Sequence, residues 1–223
     1  MGLSSLRRAY LFLYNLLQSL GFLWIFSYMT IQLILFGQDA LYSAFSSCAT
    51  VLYNCQILSV VEVINPMLGL IRTPVFPVMI QVVGRNFMLF VIFGSLPEIQ
   101  NQAIVFFVFY LWSAMEIFRY PFYMLACVGI EWKALSWCRY TVWMLLYPLG
   151  TIAEAVAVLH SLPVFDETRL FSIPLPKTLG LSISFSFTLR LYLGLLLFGL
   201  FTHIWHLIRQ RRRHLRTDRR KDS

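Results

Sequence analysis

Six stretches of this sequence are apolar for about the length a bilayer requires, roughly 10–36, 43–65, 75–94, 102–126, 136–161 and 181–207. In lipid a backbone amide has no water to bond, so a spanning segment must satisfy its own polar groups as a helix or close into a barrel. Unbroken apolar runs of this length select helices. Hydrophobic side chains make up 59% of the 223 residues and charged ones 13%, and the mean hydropathy is +0.71. A soluble domain of this size has no interior large enough to hide that surface. The expected fold is therefore all-α, a polytopic bundle of six transmembrane helices joined by turn-rich pieces such as "FGQDA", "NPMLGLIRTP" and "GIEWK". The apolar stretch at the N-terminus is too long for a cleaved leader and reads as a retained first span.

Basic residues outside the spans are one-sided. Arg7, Arg8, Arg72, Lys133 and the eight Lys and Arg from Arg209 to Lys221 fall on one side, against Arg169 and Lys177 on the other. By the positive-inside rule both termini face the cytosol. The chain then divides into a membrane domain at 1–208 and a basic cytosolic tail at 209–223. On such a protein the tail is a topology determinant beside anionic lipid headgroups, so membrane lipid is an expected partner and nucleic acid is not. Its last four residues, "RKDS", resemble a dibasic retrieval signal.

Seven charges fall within or at the ends of the spans: Glu62, Arg85, Glu116, Arg119, Arg139, Glu154 and Arg190. Each costs about 2.5 to 3.5 kcal/mol near the bilayer centre, so each needs a partner or a task. The bland account pairs them with one another or lets arginines snorkel to the interface. In the fourth span Trp112, Glu116, Arg119 and Tyr123 share one helical face, expected to look inward, and Pro121 offers a kink near the cytosolic end. In the fifth, Tyr140, Tyr147 and Glu154 recur every seven residues and point one way. Pro148 removes an amide there, and Gly150 leaves a side chain's space empty, so the stretch reads as a cavity wall. A carboxyl group in a low-dielectric site has a raised pKa and becomes a usable base near neutral pH, while a tyrosine hydroxyl can donate to a departing oxygen. An acid and a base set a few atoms apart suit an elimination on a lipidic substrate. The same pair can equally serve as a hydrogen bond between helices.

"LYPLGTIAE" with "WCRYTVW" before it, "WSAMEIFRYPFY", "GLIRTP" followed by "QVVGR", and "AYLFLYN" near the start occur in an order that resembles the 3-hydroxyacyl-CoA dehydratase family, also called protein-tyrosine-phosphatase-like. The likeness runs from about residue 9 to 160. It implies that Tyr147 and Glu154 are the catalytic pair. The implied reaction converts a long-chain (3R)-3-hydroxyacyl-CoA to a trans-2-enoyl-CoA, the third step of very-long-chain fatty acid elongation in the endoplasmic reticulum membrane. No cofactor or metal is implied, and other elongation enzymes are candidate partners. Arg119, Arg139, Tyr123, Glu116, Arg85 and Gly150 are the candidate substrate-binding residues, with the two cytosolic-side arginines Arg119 and Arg139 facing the thioester or the CoA phosphates. For Arg119 the alternative is a structural ion pair with Glu116.

Other chemistries lack their residues. A tyrosine phosphatase needs Cys-x5-Arg, yet Asn54, Val61, Lys133 and Met144 stand six places after the four cysteines. A di-iron lipid enzyme needs clustered histidines, and the four here are His160, His203, His206 and His214. A transporter's inverted repeats are not evident. A noncatalytic scaffold for elongation enzymes is the remaining alternative, and the presence of both Tyr147 and Glu154 argues against it.

Overall fold

The computed structural model describes residues 3–171, 173–174, 182–183, 185–201 and 205, with side chains described for 5–171, 185–201 and 205. The basic tail at 209–223 and its closing four residues lie outside the described residues. In chain order the helices are α1 (Leu3–Phe36), α2 (Ala44–Ser59), α3 (Val61–Met67), α4 (Val75–Asn86), α5 (Pro97–Gln100), α6 (Ala103–Cys127), α7 (Lys133–Thr168) and α8 (Phe185–Phe201). A 3-10 turn, Gly37–Tyr42, follows α1, and α4 continues as a π-helical segment, Phe87–Phe93. The one described strand pairing is two residues long, Ile173–Pro174 against Ser182–Ile183. The chain forms two compact units, Met1–Leu146 and Tyr147–Ser223, and the boundary falls inside α7.

Among the described residues five segments are long and apolar enough to cross a membrane: Ser5–Tyr42, Ala44–Met67, Val75–Phe93, Ala103–Cys127 and Lys133–Thr168. They coincide with the first five stretches expected from sequence. Within the sixth stretch the described helix is the shorter α8.

In the first unit apolar side chains cover the outside as well as filling the core. On α1 the buried residues Asn15, Gln18, Phe22, Ile25 and Met29 alternate in steps of three and four, so they form one seam. The opposite face carries Leu6, Leu13, Leu17, Leu20, Trp24, Ile31 and Leu35, all exposed as a lipid-facing surface must be. The seam packs mainly on α6. There Phe22 stacks on Tyr120 at 5.7 Å between ring centres, Phe26 stacks on Tyr110 at 4.7 Å, and Thr30 shares a 3.2 Å hydrogen bond with the Tyr110 hydroxyl. As residue numbers rise on α1 they fall on α6, so the two helices are antiparallel. The start of α1 therefore lies at the same end as the end of α6. Small residues allow close approach elsewhere: a Cβ added at Gly21 on α1 would stand 2.5 Å from the Cys55 sulfur on α2.

Three local features depart from uniform spanning helices. The second stretch breaks at Val60, where its N–H bonds to Ile57 O at 3.2 Å and Val63 N–H returns to Val60 O at 3.0 Å, tightening one turn before Glu62. The third widens into the π segment, against which the Tyr53 hydroxyl donates to Leu89 O at 3.4 Å. The fifth continues through both Pro148 and Pro163 to Thr168, beyond the expected end near 161. A proline removes one amide from a helix, and in a membrane protein neighbouring groups re-satisfy the freed carbonyl.

Two helices end in the same capping motif. After α3, Gly69 has φ +70°, its N–H bonds Pro66 O at 3.0 Å, and Leu70 N–H reaches Asn65 O at 2.9 Å. After α6, Gly129 has φ +74°, its N–H bonds Ala126 O at 3.2 Å, and Ile130 N–H reaches Leu125 O at 3.1 Å. This pairing is the Schellman cap, which places its left-handed residue just past the helix end. Gly69→Ala and Gly129→Ala should each cost about 1–2 kcal/mol, the penalty of a Cβ in that conformation. A lowered midpoint of thermal unfolding in detergent is the expected readout, and an unchanged midpoint would contradict the caps' importance.

Candidate functional site

Four charges from three helices meet in the first unit. Arg119 on α6 donates from Nη1 to Glu62 Oε2 at 2.6 Å and from Nη2 to Glu62 Oε1 at 2.9 Å, a bidentate pair reaching α3. Its Nε donates to Glu116 Oε2 at 2.5 Å, one turn back on α6. Glu116, only 1% exposed, also accepts from Arg85 on α4. Two acids and two bases thus form one neutral ladder, Arg85–Glu116–Arg119–Glu62. Aromatic groups close around it. The Tyr120 hydroxyl accepts from Arg119 Nη2 at 2.9 Å and donates to Glu62, Tyr14 from α1 donates to Glu62 Oε1 at 3.4 Å, and Arg85 lies over the Trp112 ring at 5.3 Å.

Beside this ladder a cavity of about 630 Å³ opens at the end of the unit where α1 begins and α6 ends. Glu62, Arg119 and Tyr14 form part of its wall, and the buried Asn65, whose Oδ1 accepts from Tyr10 at 3.0 Å, forms another. Arg7, Arg8 and Arg72 are exposed at its border, together with Thr73. Tyr123 and Cys127 line it from α6.

The other sequence-derived candidates are placed as follows. Arg139 sits over Tyr123 at 6.0 Å and over Trp143 at 5.9 Å, a cation held by two aromatic faces. Tyr140 is 65% exposed and meets Phe122 edge to face. In the second unit Tyr147 and Glu154 are both half-buried on α7, with the buried Gly150 between them in sequence. Seven residues of helix separate the pair by about 10.5 Å along the axis. Thr151 Oγ1 donates to Tyr147 O at 3.0 Å. The Glu154 carboxylate acts electrostatically on Tyr192 of α8. Helices α7 and α8 also meet through Phe165 against Phe185 at 4.9 Å and through Arg190 to Asp166 at 3.2 Å, so Arg190 is answered by an acid from the helix extension beyond Pro163. Sequence reasoning counts Arg7, Arg8 and Arg72 only as topology markers, and it gives Tyr14 and Asn65 no role in a site.

Residues 56–217 match the family model described as protein tyrosine phosphatase-like protein, PTPLA. The chain belongs to this family. Among curated PTPLA relatives, the "very-long-chain (3R)-3-hydroxyacyl-CoA dehydratase" of Danio rerio is 60% identical over 216 residues, covering 97% of this chain and 60% of that protein. The "very-long-chain (3R)-3-hydroxyacyl-CoA dehydratase 3" of Homo sapiens is 51% identical over 219 residues, covering 98% of this chain and 60% of that protein. The human protein named "very-long-chain (3R)-3-hydroxyacyl-CoA dehydratase 4" is 35% identical over 206 residues, covering 92% of this chain and 88% of that one. The chain thus spans about 60% of the length of the more similar relatives. No solved structure matches it.

For this PTPLA member the ladder predicts a specific pattern of stability. Removing one member strands a buried charge, whereas removing an opposite pair does not. Arg85→Met should cost about 3–5 kcal/mol, and Arg85→Met with Glu116→Gln distinctly less than the sum of the two single changes. Unfolding midpoints of the wild type, two singles and the double in one detergent complete the cycle. Additive losses would mean the groups are not coupled.

Proposed function

We propose that this chain is a very-long-chain (3R)-3-hydroxyacyl-CoA dehydratase, a hydro-lyase of fatty acid elongation, with Tyr147 and Glu154 as its catalytic pair. The observation that carries this reading is the agreement of relatives at 50–60% identity, aligned over 97–98% of the chain, on that name. Further support comes from the apolar helices, since an acyl chain of very long length partitions into lipid and is best handled there.

In the proposed reaction Glu154 takes the proton from C2, which is acidified by the adjacent thioester. Tyr147 donates its proton to the C3 hydroxyl as the C3–O bond breaks. The electron pair of the C2–H bond becomes the new C2=C3 double bond, and water leaves. The elimination leaves Glu154 protonated and Tyr147 deprotonated, and transfer of one proton from the acid to the phenolate restores both. A phenol, pKa about 10, is far more acidic than the water it helps to form, so the donation is downhill. The half-buried setting of both residues keeps them reachable while lowering competition from bulk water. Gly150, one turn along from each, supplies room for the acyl group in this reading. Arg119, Arg85 and Glu116 then act as the frame of the neighbouring unit, and Arg139 and Tyr123 as cationic and aromatic contacts.

The reading includes a topology. Six spans, with α8 in the sixth, place both termini in the cytosol of an endoplasmic reticulum protein, and the basic tail 209–223 lies at that surface beside the membrane domain 1–208. Other elongation enzymes are its natural neighbours, because they make its substrate and consume its product.

Purified protein in detergent should convert 3-hydroxyacyl-CoA to 2-enoyl-CoA. Glu154→Gln and Tyr147→Phe should each lower kcat by about 10²- to 10⁴-fold with the unfolding midpoint preserved. A Gln variant that turns over at the wild-type rate would remove Glu154 from the mechanism, and a folded wild type without turnover would leave the scaffold alternative.

A further inference from the structure

The cavity beside the ion ladder has a charge imbalance that the ladder does not explain. Arg119 spends four of its five N–H donors on Glu62, Glu116 and Tyr120, and its charge is answered by two carboxylates. It is wall rather than ligand. Among the described residues the one acid lining the cavity, Glu62, is likewise engaged. Arg7 and Arg72 also line it, and neither forms an ion pair among the described residues. Membrane topology alone would require these charges to lie on one side. It would not require two segments, the start of α1 and the loop from Gly69 to Thr73, to bring them to the border of one cavity. The Schellman cap at Gly69 is what turns that loop, delivering Arg72 and Thr73 to the same opening.

We infer that this cavity is a phosphate-binding site that takes the nucleotide end of coenzyme A, with Arg7 and Arg72 as its principal ligands. Guanidinium groups suit the purpose because their planar fork gives paired, charge-assisted bonds to phosphate oxygens. The volume lies within the range of small-molecule sites. Asn65, Asn15 and Thr73 add neutral polar groups to the wall, fitting a sugar and a base better than a bare ion. The inference rests on the dehydratase reading for the identity of the ligand, though not for the existence of an anion site. It also reassigns the role given to Arg119 from sequence: the charges that meet phosphate stand at the border, and Arg119 braces the wall behind them.

The test uses equilibrium binding of adenosine 3′,5′-bisphosphate to the full-length protein in neutral detergent, so that it does not depend on turnover. Wild type should bind, with affinity falling as salt is raised. Arg7→Gln with Arg72→Gln should weaken binding about tenfold or more, the scale of charged hydrogen bonds lost from a site. Arg7→Lys with Arg72→Lys keeps the charge needed for membrane insertion and should recover most of the affinity. In the dehydratase assay the Gln pair should raise KM for a 3-hydroxyacyl-CoA at least tenfold, with much less effect on the matching acyl-pantetheine, which lacks the nucleotide. Equal bisphosphate binding by wild type and the Gln pair overturns the site. So does a Gln pair that loses binding of short-chain phosphatidylserine while keeping that of the bisphosphate, since the arginines would then hold lipid headgroups. Bisphosphate binding without any turnover of either thioester leaves the site standing and defeats the dehydratase reading instead.

Discussion

Charge neutrality in an apolar surrounding is the constraint on which the first unit depends. Isolated, each of Arg85, Glu116, Arg119 and Glu62 would be costly at its depth. Linked in alternation they cancel, and because they come from α3, α4 and α6 the cancellation works only when those helices stand in one arrangement. The ladder thus fixes helix order in a medium where the hydrophobic effect between helices is absent. The bidentate Arg119–Glu62 pair sets rotation as well as distance, since a guanidinium fork meets a carboxylate in a plane. Tyr14 and Tyr120 extend the same constraint to α1.

The polar seam of α1 follows from this arrangement. Its inward face carries Asn15 and Gln18 where a soluble helix would carry leucine, and Gln18 Nε2 finds Cys55 O at 3.0 Å on the neighbouring α2. The leucines go outward to lipid. A helix with such a pattern has little amphipathic contrast on a scale tuned for water, yet its two faces differ sharply in what they can bond.

Much of this was legible in the residues. The apolar runs located five helices long and apolar enough to span, with ends that differ by up to seven residues, as at Thr168 against 161, because length and hydropathy decide what lipid will accept. The face shared by Trp112, Glu116 and Arg119 was expected to look inward, and it does, whereas Tyr123 at its end is 40% exposed at the cavity. The break at Val60 and the π segment after Asn86 were not legible, since neither carries a proline or glycine at the point of departure. They arise from how neighbouring helices pack, which a single-chain pattern does not encode. The partner of Arg190 escapes the sequence for a similar reason: the expected fifth span ends near 161, whereas α7 runs on to Thr168 and so carries Asp166. As for the candidate site, sequence brought out Tyr147 and Glu154 through spacing and family motif together. The cavity rimmed by Arg7 and Arg72 was invisible, because 65 residues separate its two arginines and nothing in either segment names the other.

The family's phosphatase-like description invites one comparison that the structure settles at Cys127. This cysteine does line the arginine-bordered cavity, so a thiol and guanidinium groups share one space. A cysteine phosphatase needs more than that coincidence. Its loop must aim successive backbone amides at the phosphate oxygens, and an arginine on the same loop must close over them. Here the amides that follow the cysteine are already committed. Val128 N–H bonds Leu125 O at 3.1 Å, and those of Gly129 and Ile130 close the Schellman cap on α6. A lysine, Lys133, stands where the loop arginine would be, and it begins α7. The segment is spent on ending one helix and starting the next. An anion in this cavity would meet side chains at the border rather than a cradle around the sulfur, an arrangement suited to holding phosphate and not to transferring it.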